Sequence, residues 1–276
     1  MSSNKSTYAP GYVPSQITHH EWRTVENSAA YLLPTLRALS SKSDTSPLLL
    51  DIGCGSGTIT RSLASHLPNG KVIGTDISDE ILSRAKELCH GTDNVTLKLA
   101  NVYSLPFEDG KFDVVHASMV LGHLDNPVAA YREMLRVTKP NGGIVANREP
   151  DLSICTYYPR SKPMDEFHAL QLKVMGEGAV IGPKMVHLAM EAGAKREDIT
   201  PSFGTWCYAS PEERKIWGGA FLERLREGNL GKTALEKGYA TKEEIEGMIK
   251  AWEKWSESED GVYGCMLGEI LIKKGM

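Results

Sequence analysis

The stretch LLLDIGCGSGT, Leu48 to Thr58, decides the fold. An apolar run ends at an acid, Asp51, and three glycines follow at alternate positions, Gly53, Gly55 and Gly57. This predicts a buried strand, a tight turn and a helix beginning near Gly57. Glycine is needed where the backbone takes positive φ or where a ligand lies against it. A helix start then offers its N–H groups to something negative. The loop reads as a small-molecule cofactor cradle. Its G-x-G-x-G spacing departs from the G-x-G-x-x-G dinucleotide fingerprint, and without a following lysine it is not a phosphate P-loop.

Working outward, the run Lys71 to Thr75 ends in Asp76, whose carboxylate can accept two hydrogen bonds from the hydroxyls of a ribose. Ile77 follows and suits the flat face of an adenine. A third run, Val95 to Leu99, leads to Ala100, Asn101 and Val102; a fourth, Phe112 to Ala117, ends at Ser118. Polar candidates thus stand at the carboxyl ends of successive strands, where open α/β sheets bind ligands. Blander readings exist for each: Asp51 as a cap of the strand–helix turn, Asp76 as an acid before the next helix, Asn101 as a turn residue.

Together these pieces resemble the class I S-adenosylmethionine-dependent methyltransferases, in particular their ubiquinone/menaquinone-type branch. The matching segments are DIGCGSG at 51–57, GTDIS at 74–78, NVYSLPFEDGKFDVVHAS at 101–118 and HLDNPVAAYREMLRVTKPNGG at 123–143. The resemblance implies an α/β, doubly wound, Rossmann-like seven-stranded sheet and S-adenosyl-L-methionine as cofactor. It places the methionine part of the cofactor on Gly53, Gly55 and Gly57, the ribose on Asp76 and the adenine amino group on Asn101, and Asp51 is counted among the cofactor-binding residues. Many members carry Asp at that last position; an amide oxygen can also accept from the amino group.

The chain has 276 residues, 41% hydrophobic and 24% charged, as expected of a globular protein with a full core. A net charge of −4 argues against a nucleic-acid-binding surface. No apolar run approaches a membrane span, and MSSNKSTYAPGY lacks the apolar core of a signal peptide, so a cytoplasmic location is expected. The five cysteines include no C-x-x-C spacing, so neither a disulfide framework nor a metal site is expected. Monomer and homodimer both remain open.

Three parts are expected: an N-terminal lid segment and helix over 1–46, a cofactor-binding core over 47–150, and a half completing the sheet over 151–276. Glu21 to Leu39 has helical spacing. Ser78 and Asn126-Pro127 are helix starts, and Gly143 to Asn147 reads as the fifth strand. Thr200 to Tyr208 and Val262 to Lys273 read as the last two strands. The roughly fifty residues between them exceed any ordinary hairpin loop, so 210–260 reads as a helical cap.

A methyl acceptor must sit in line behind the sulfonium methyl, with position and dryness supplied by the protein. His123 follows the fourth strand and reads equally as a general base and as a cap of the loop before Asp125. Asn147, Arg148 and Glu149 follow the fifth strand and are candidates for the acceptor pocket, although Arg148 and Glu149 could simply pair. His20 and Arg23 share a helix face. In the family this segment is a lid, which implies Arg23 near the cofactor carboxylate and Tyr8 or Tyr12 closing over it. The late aromatics, Trp206 and Tyr208 among them, suit a flat or apolar acceptor as well as plain packing.

The opening TYAPGYVPSQITHHEWRTVENSAAYLLP, 7–34, resembles fungal secondary-metabolite methyltransferases of the gliotoxin-type dithiol bis-thiomethyltransferase kind. That resemblance implies S-methylation of a reduced epidithiodioxopiperazine, in secondary metabolism or self-protection. A thiol needs little base assistance, which suits a chain with no evident base pair, but amine and activated-carbon acceptors share that property. N-, O- or C-methylation of another metabolite or quinone precursor, and cofactor binding without catalysis, are the competing readings. A nicotinamide oxidoreductase is disfavoured by the glycine spacing and the lack of a Tyr-x-x-x-Lys motif.

Overall fold

The computed structural model describes residues 19–42 and 45–275. Seven strands form one sheet in the order β3-β2-β1-β4-β5-β7-β6. They are β1 Leu48–Ile52, β2 Lys71–Asp76, β3 Val95–Leu99, β4 Val114–Ser118, β5 Ile144–Tyr158, β6 Ile199–Tyr208 and β7 Val262–Lys273. The first five run parallel; β7 pairs antiparallel with both β5 and β6. This is the Rossmann-like sheet expected from the sequence. The order reverses between β1 and β4, so the crevice for a ligand opens at their carboxyl ends.

Helices cover both faces, as a parallel sheet requires. On one side α1 Val25–Ser28, α2 Leu33–Ser40 and α3 Thr58–Ser65 enclose Leu36, Leu49, Leu63 and Val72. On the other, α5 Pro127–Val137 and α7 Met185–Glu191 close over Leu50, Phe112, Val115 and Tyr131. The helix α4 Asp79–Leu88 starts at Ser78, whose Oγ accepts the Ile81 N–H. Asn126 caps α5 through its Oδ1, ahead of Pro127.

The expected single helix over 21–39 is instead broken. Thr24 is extended (φ −133°, ψ 178°) and is the N-cap of α1; the Asn27 side chain accepts the Thr24 N–H (2.9 Å) in a capping box and donates to the Trp22 carbonyl (2.9 Å), so a new helix starts at Val25. A 3₁₀ turn, Ala30–Leu32, then resets the chain before α2.

Strand β5 is the larger departure, because it continues well past Pro150. Its parallel partner β4 ends opposite Arg148, so from there β5 is paired on one side only, by β7. A proline, which lacks an N–H, is tolerated at such an edge. The extended antiparallel β5–β7 pair carries α6 Lys162–Met175 and the three helices inserted between β6 and β7: α8 Pro211–Arg226, α9 Asn229–Glu236 and α10 Lys242–Glu257. Capping boxes Ser210/Glu213 and Thr241/Glu244 start α8 and α10. Phe167, Trp217, Phe221, Trp252, Trp255 and Tyr263 fuse these helices to the β5–β7 pair as a separate core. Among the described residues, no helix is long and apolar enough to cross a membrane.

Candidate functional site

The glycine loop turns sharply off β1, with φ of 64°, 55° and 81° at Gly53, Gly55 and Gly57. It is fastened to the end of β2: the Cys54 N–H donates to the Thr75 carbonyl (2.9 Å) and the Gly55 N–H to Asp76 Oδ2 (3.0 Å). Asp76 Oδ1 accepts the Ser78 N–H at 3.1 Å. A side chain at Gly53 would put a Cβ 2.5 Å from Val120 Cγ2, whereas one at Gly55 would meet nothing within 4 Å. Space is therefore held open beside Gly55.

That space belongs to a cavity of about 160 Å³ at the carboxyl ends of β1, β2 and β4. Gly53, Gly55, Asp76, Ile77, Asn101, Val102, Ser118, His20, Arg23 and His123 line it, with Cys54, Ser56, Thr58, Ile81, Met119, Val120 and Leu124 among the others. A second cavity of about 450 Å³ lies under the cap, lined by Trp206, Tyr208, Trp217, Phe221, Tyr263, Cys265 and Arg224, among others. His20, Arg23, Met119, His123 and Leu124 border both. Met119 stands at this junction with φ of 60°, a left-handed conformation that costs a non-glycine residue about 1–3 kcal/mol.

The guanidinium groups of Arg23 and Arg224 act on the histidines of the junction. Burial, followed by the charges of Arg23 and Arg224, pushes His123 down to about 4. Burial, with Arg23 and Arg224 adding to it, likewise holds His19 and His20 well below the usual imidazole range. All three rings are neutral at pH 7. Burial pushes the Cys265 thiol up to about 12, so it stays protonated beside them.

A methyltransferase-domain family model matches residues 44–175. An uncharacterized methyltransferase of Schizosaccharomyces pombe is 34% identical over 97% of this chain and 96% of its own length. The chain belongs to the class I S-adenosylmethionine-dependent methyltransferases. A probable methyltransferase of Aspergillus luteorubrus, ltbC, is 32% identical over 99% of this chain and all of its own. A demethylmenaquinone methyltransferase of Staphylococcus aureus is 29% identical over 72% of this chain and 78% of its own.

Solved structures share the fold. The YcgJ protein of Bacillus subtilis aligns with a TM-score of 0.55 at 17% identity, over 90% of this chain and 99% of its own. The phosphoethanolamine N-methyltransferase 2 of Haemonchus contortus, solved with S-adenosylhomocysteine, gives 0.51 at 19% identity, over 88% of this chain and 52% of that longer one.

The cofactor of this methyltransferase is S-adenosylmethionine, and the first cavity has the features to hold it. Gly55 leaves room for a ligand against the backbone. Each oxygen of Asp76 accepts one backbone N–H, and a carboxylate oxygen has the capacity to accept a ribose hydroxyl as well. Ile77, 46% exposed, offers an apolar surface beside it. Asn101 Oδ1 accepts the Tyr103 N–H at 3.0 Å, so the turn reading holds for that oxygen while the residue still lines the cavity.

Four of the residues expected at the cofactor or the acceptor lie elsewhere. Asp51 is buried beneath the loop, where its carboxylate accepts from Thr60 Oγ1 (2.6 Å) and meets His116 Nδ1 (2.7 Å); it braces α3 against β1 and β4. Gly57 faces Ala85 and Cys89 of the α4 region, so its missing side chain serves helix packing. Neither lines the cavity.

Asn147 and Arg148 reach neither cavity. Asn147 is fully buried, its Nδ2 3.4 Å from the Ala117 carbonyl. Arg148 pairs with Glu269 (3.2 Å), not with Glu149, because neighbours in a strand point to opposite faces. Trp206 and Tyr208 do line the second cavity. Tyr8 and Tyr12 lie outside the described residues. Sequence reading missed Met119, Val120 and Leu124, although the rule that singled out Ser118, position just beyond a strand's carboxyl end, extends to them.

Proposed function

We propose that this methyltransferase transfers the methyl group to sulfur, with a small apolar thiol, best a reduced epidithiodioxopiperazine of the gliotoxin type, held in the aromatic cavity. The observation that carries the reading is the junction. An aromatic chamber opens onto the cofactor cleft where Arg23 and Arg224 face three neutral imidazoles.

When bound, S-adenosylmethionine supplies a methyl group on a sulfonium sulfur. The chain's task is to present an ionised nucleophile to it. A free thiol has a pKa of about 8.5, and nearby positive charge lowers it. Arg23 and Arg224 can therefore raise the thiolate fraction at neutral pH. His123, pushed to about 4, is a weak proton acceptor. Its role in this reading is to donate its ring N–H to the thiolate sulfur and orient the acceptor, and the thiol proton leaves to solvent. The thiolate sulfur would then take the methyl group from a bound S-adenosylmethionine, with S-adenosylhomocysteine as the leaving group.

Two further features support the reading. The cavity of about 450 Å³ falls in the range of small-molecule sites, about 300–1,000 Å³. Tyr208 and Trp217 stack at 4.2 Å and 13°, giving a flat apolar wall. The test is an acceptor panel, with thiols, phenols, amines and a demethylated quinol compared by kcat/KM at fixed cofactor. Preference for the thiols supports the proposal; preference for the quinol transfers the reading to carbon methylation.

A further inference from the structure

We propose that Glu149 is a positioning residue for methyl transfer: its carboxylate fixes the Val120–Gly122 backbone and thereby sets the segment Met119–His123 between the two cavities. Oε1 accepts the N–H groups of Val120 and Leu121, both at 2.8 Å, and Oε2 accepts that of Gly122 at 3.3 Å. Glu149 is 0% exposed. A buried carboxylate is costly unless its acceptor capacity is used, and here three donors from one loop use it.

The loop needs such a clamp. It enters through Met119 in the left-handed region, with the Met119 N–H bonded to the Arg148 carbonyl (2.9 Å). Met119 and His123 border both cavities, and Val120 borders the first. Val120 is also the residue that packs over Gly53, so a shift of the loop is transmitted directly to the glycine cradle. Protonation of Glu149 would replace one acceptor by a donor and set it against an N–H.

The ionisable groups facing Glu149 are Arg23 from the N-terminal segment, Tyr31 from the 3₁₀ turn and Tyr131 from α5. His123 ends the clamped segment. Arg148 on the same strand turns away to Glu269. Burial raises Glu149 to about 7, against the pull of its three backbone donors. His123 titrates near 4 and His20 below the ordinary imidazole range, so near-neutral titration at the junction points to Glu149.

The inference concerns the cofactor site and is independent of the thiol acceptor, so S-adenosylhomocysteine alone tests it. Calorimetric affinity is measured from pH 6 to 8 for the wild type and for Glu149→Gln, with circular dichroism confirming the fold. The wild type should bind more weakly as pH falls through about 7. The Gln variant should bind roughly ten-fold more weakly than wild type at pH 8, with the gap closing toward pH 6. Equal affinities at pH 8 with parallel profiles would overturn the proposal. If the variant does not fold, the wild-type profile decides: a decline below pH 7 supports the clamp, and a flat profile overturns it.

Discussion

The indole of Trp206 donates through Nε1 to the carbonyl oxygen of Asn27 at 2.7 Å. That oxygen also accepts from Arg148 Nη1 at 2.9 Å, and the guanidinium groups of Arg23 and Arg148 lie 5.0 and 4.8 Å from the Trp206 ring. One side chain on β6 thus latches the N-terminal segment to the sheet and places Arg23 at the junction of the cavities. Trp206→Phe removes the hydrogen bond and weakens the stacking. It should cost about 1–2 kcal/mol in urea unfolding and raise the KM for the acceptor more than it lowers kcat.

Asp76 organises the cradle from the end of β2. Asp76→Ala should weaken S-adenosylhomocysteine binding at least ten-fold while the far-ultraviolet circular dichroism stays native; unchanged affinity would remove Asp76 from the site.

Gly53 and Gly55 separate steric from ligand effects. Both have positive φ, so alanine should cost each about 1 kcal/mol of stability. At Gly53 the new Cβ would also press on Val120, so Gly53→Ala should show the larger fall in melting temperature. At Gly55 the Cβ meets no protein atom, so its loss should appear chiefly in cofactor affinity. Thermal unfolding and calorimetry on the two variants check this ordering.

Much of this was legible in the sequence because it rests on local rules. Alternate glycines after an apolar run, acids and amides at strand ends, and capping residues before helices are set by a few neighbouring side chains. The corrections arise where distant segments decide. Asp51 lies next to the loop in sequence, but His116 and Thr60 claim its carboxylate. Arg148 and Glu149 are adjacent, yet strand alternation sends one to Glu269 and the other to the β4 loop. The fifth strand reads as ending at Asn147 because the sequence does not show that β7 continues to pair with it after β4 stops opposite Arg148.

Arg224 offers a direct probe of the electrostatics. Arg224→Met should raise the apparent pKa of kcat/KM for a thiol by about half to one unit, with a smaller effect on cofactor affinity. His123→Gln should lower kcat by about ten-fold or less and leave the pH midpoint in place. A midpoint that moves with His123 and not with Arg224 would restore His123 as a general base.

Stability should fall on acidification. His19, His20, His123 and His168 all have lowered pKa values in the folded state, so between their unfolded value near 6.5 and their folded values the unfolded chain binds more protons. Their contribution is present above pH 6.5 and is lost as pH falls toward 4. Glu149 acts oppositely: its raised pKa favours the folded state below about 4.5 and that contribution is lost as pH rises through about 7. Burial raises Glu269 in the same sense as Glu149, and four histidines against these two carboxyls give a net decline, read as a falling urea midpoint from pH 7 to pH 5.

The proposed reaction is transfer of methyl groups to thiol sulfur. It is tested most directly by incubating the pure protein with S-adenosylmethionine and reduced gliotoxin and following the acceptor by mass spectrometry. The account predicts a gain of one methyl group and then a second, both on sulfur by fragmentation. An acceptor that stays unmodified while S-adenosylhomocysteine still binds, or that is methylated on oxygen, nitrogen or carbon, would contradict it.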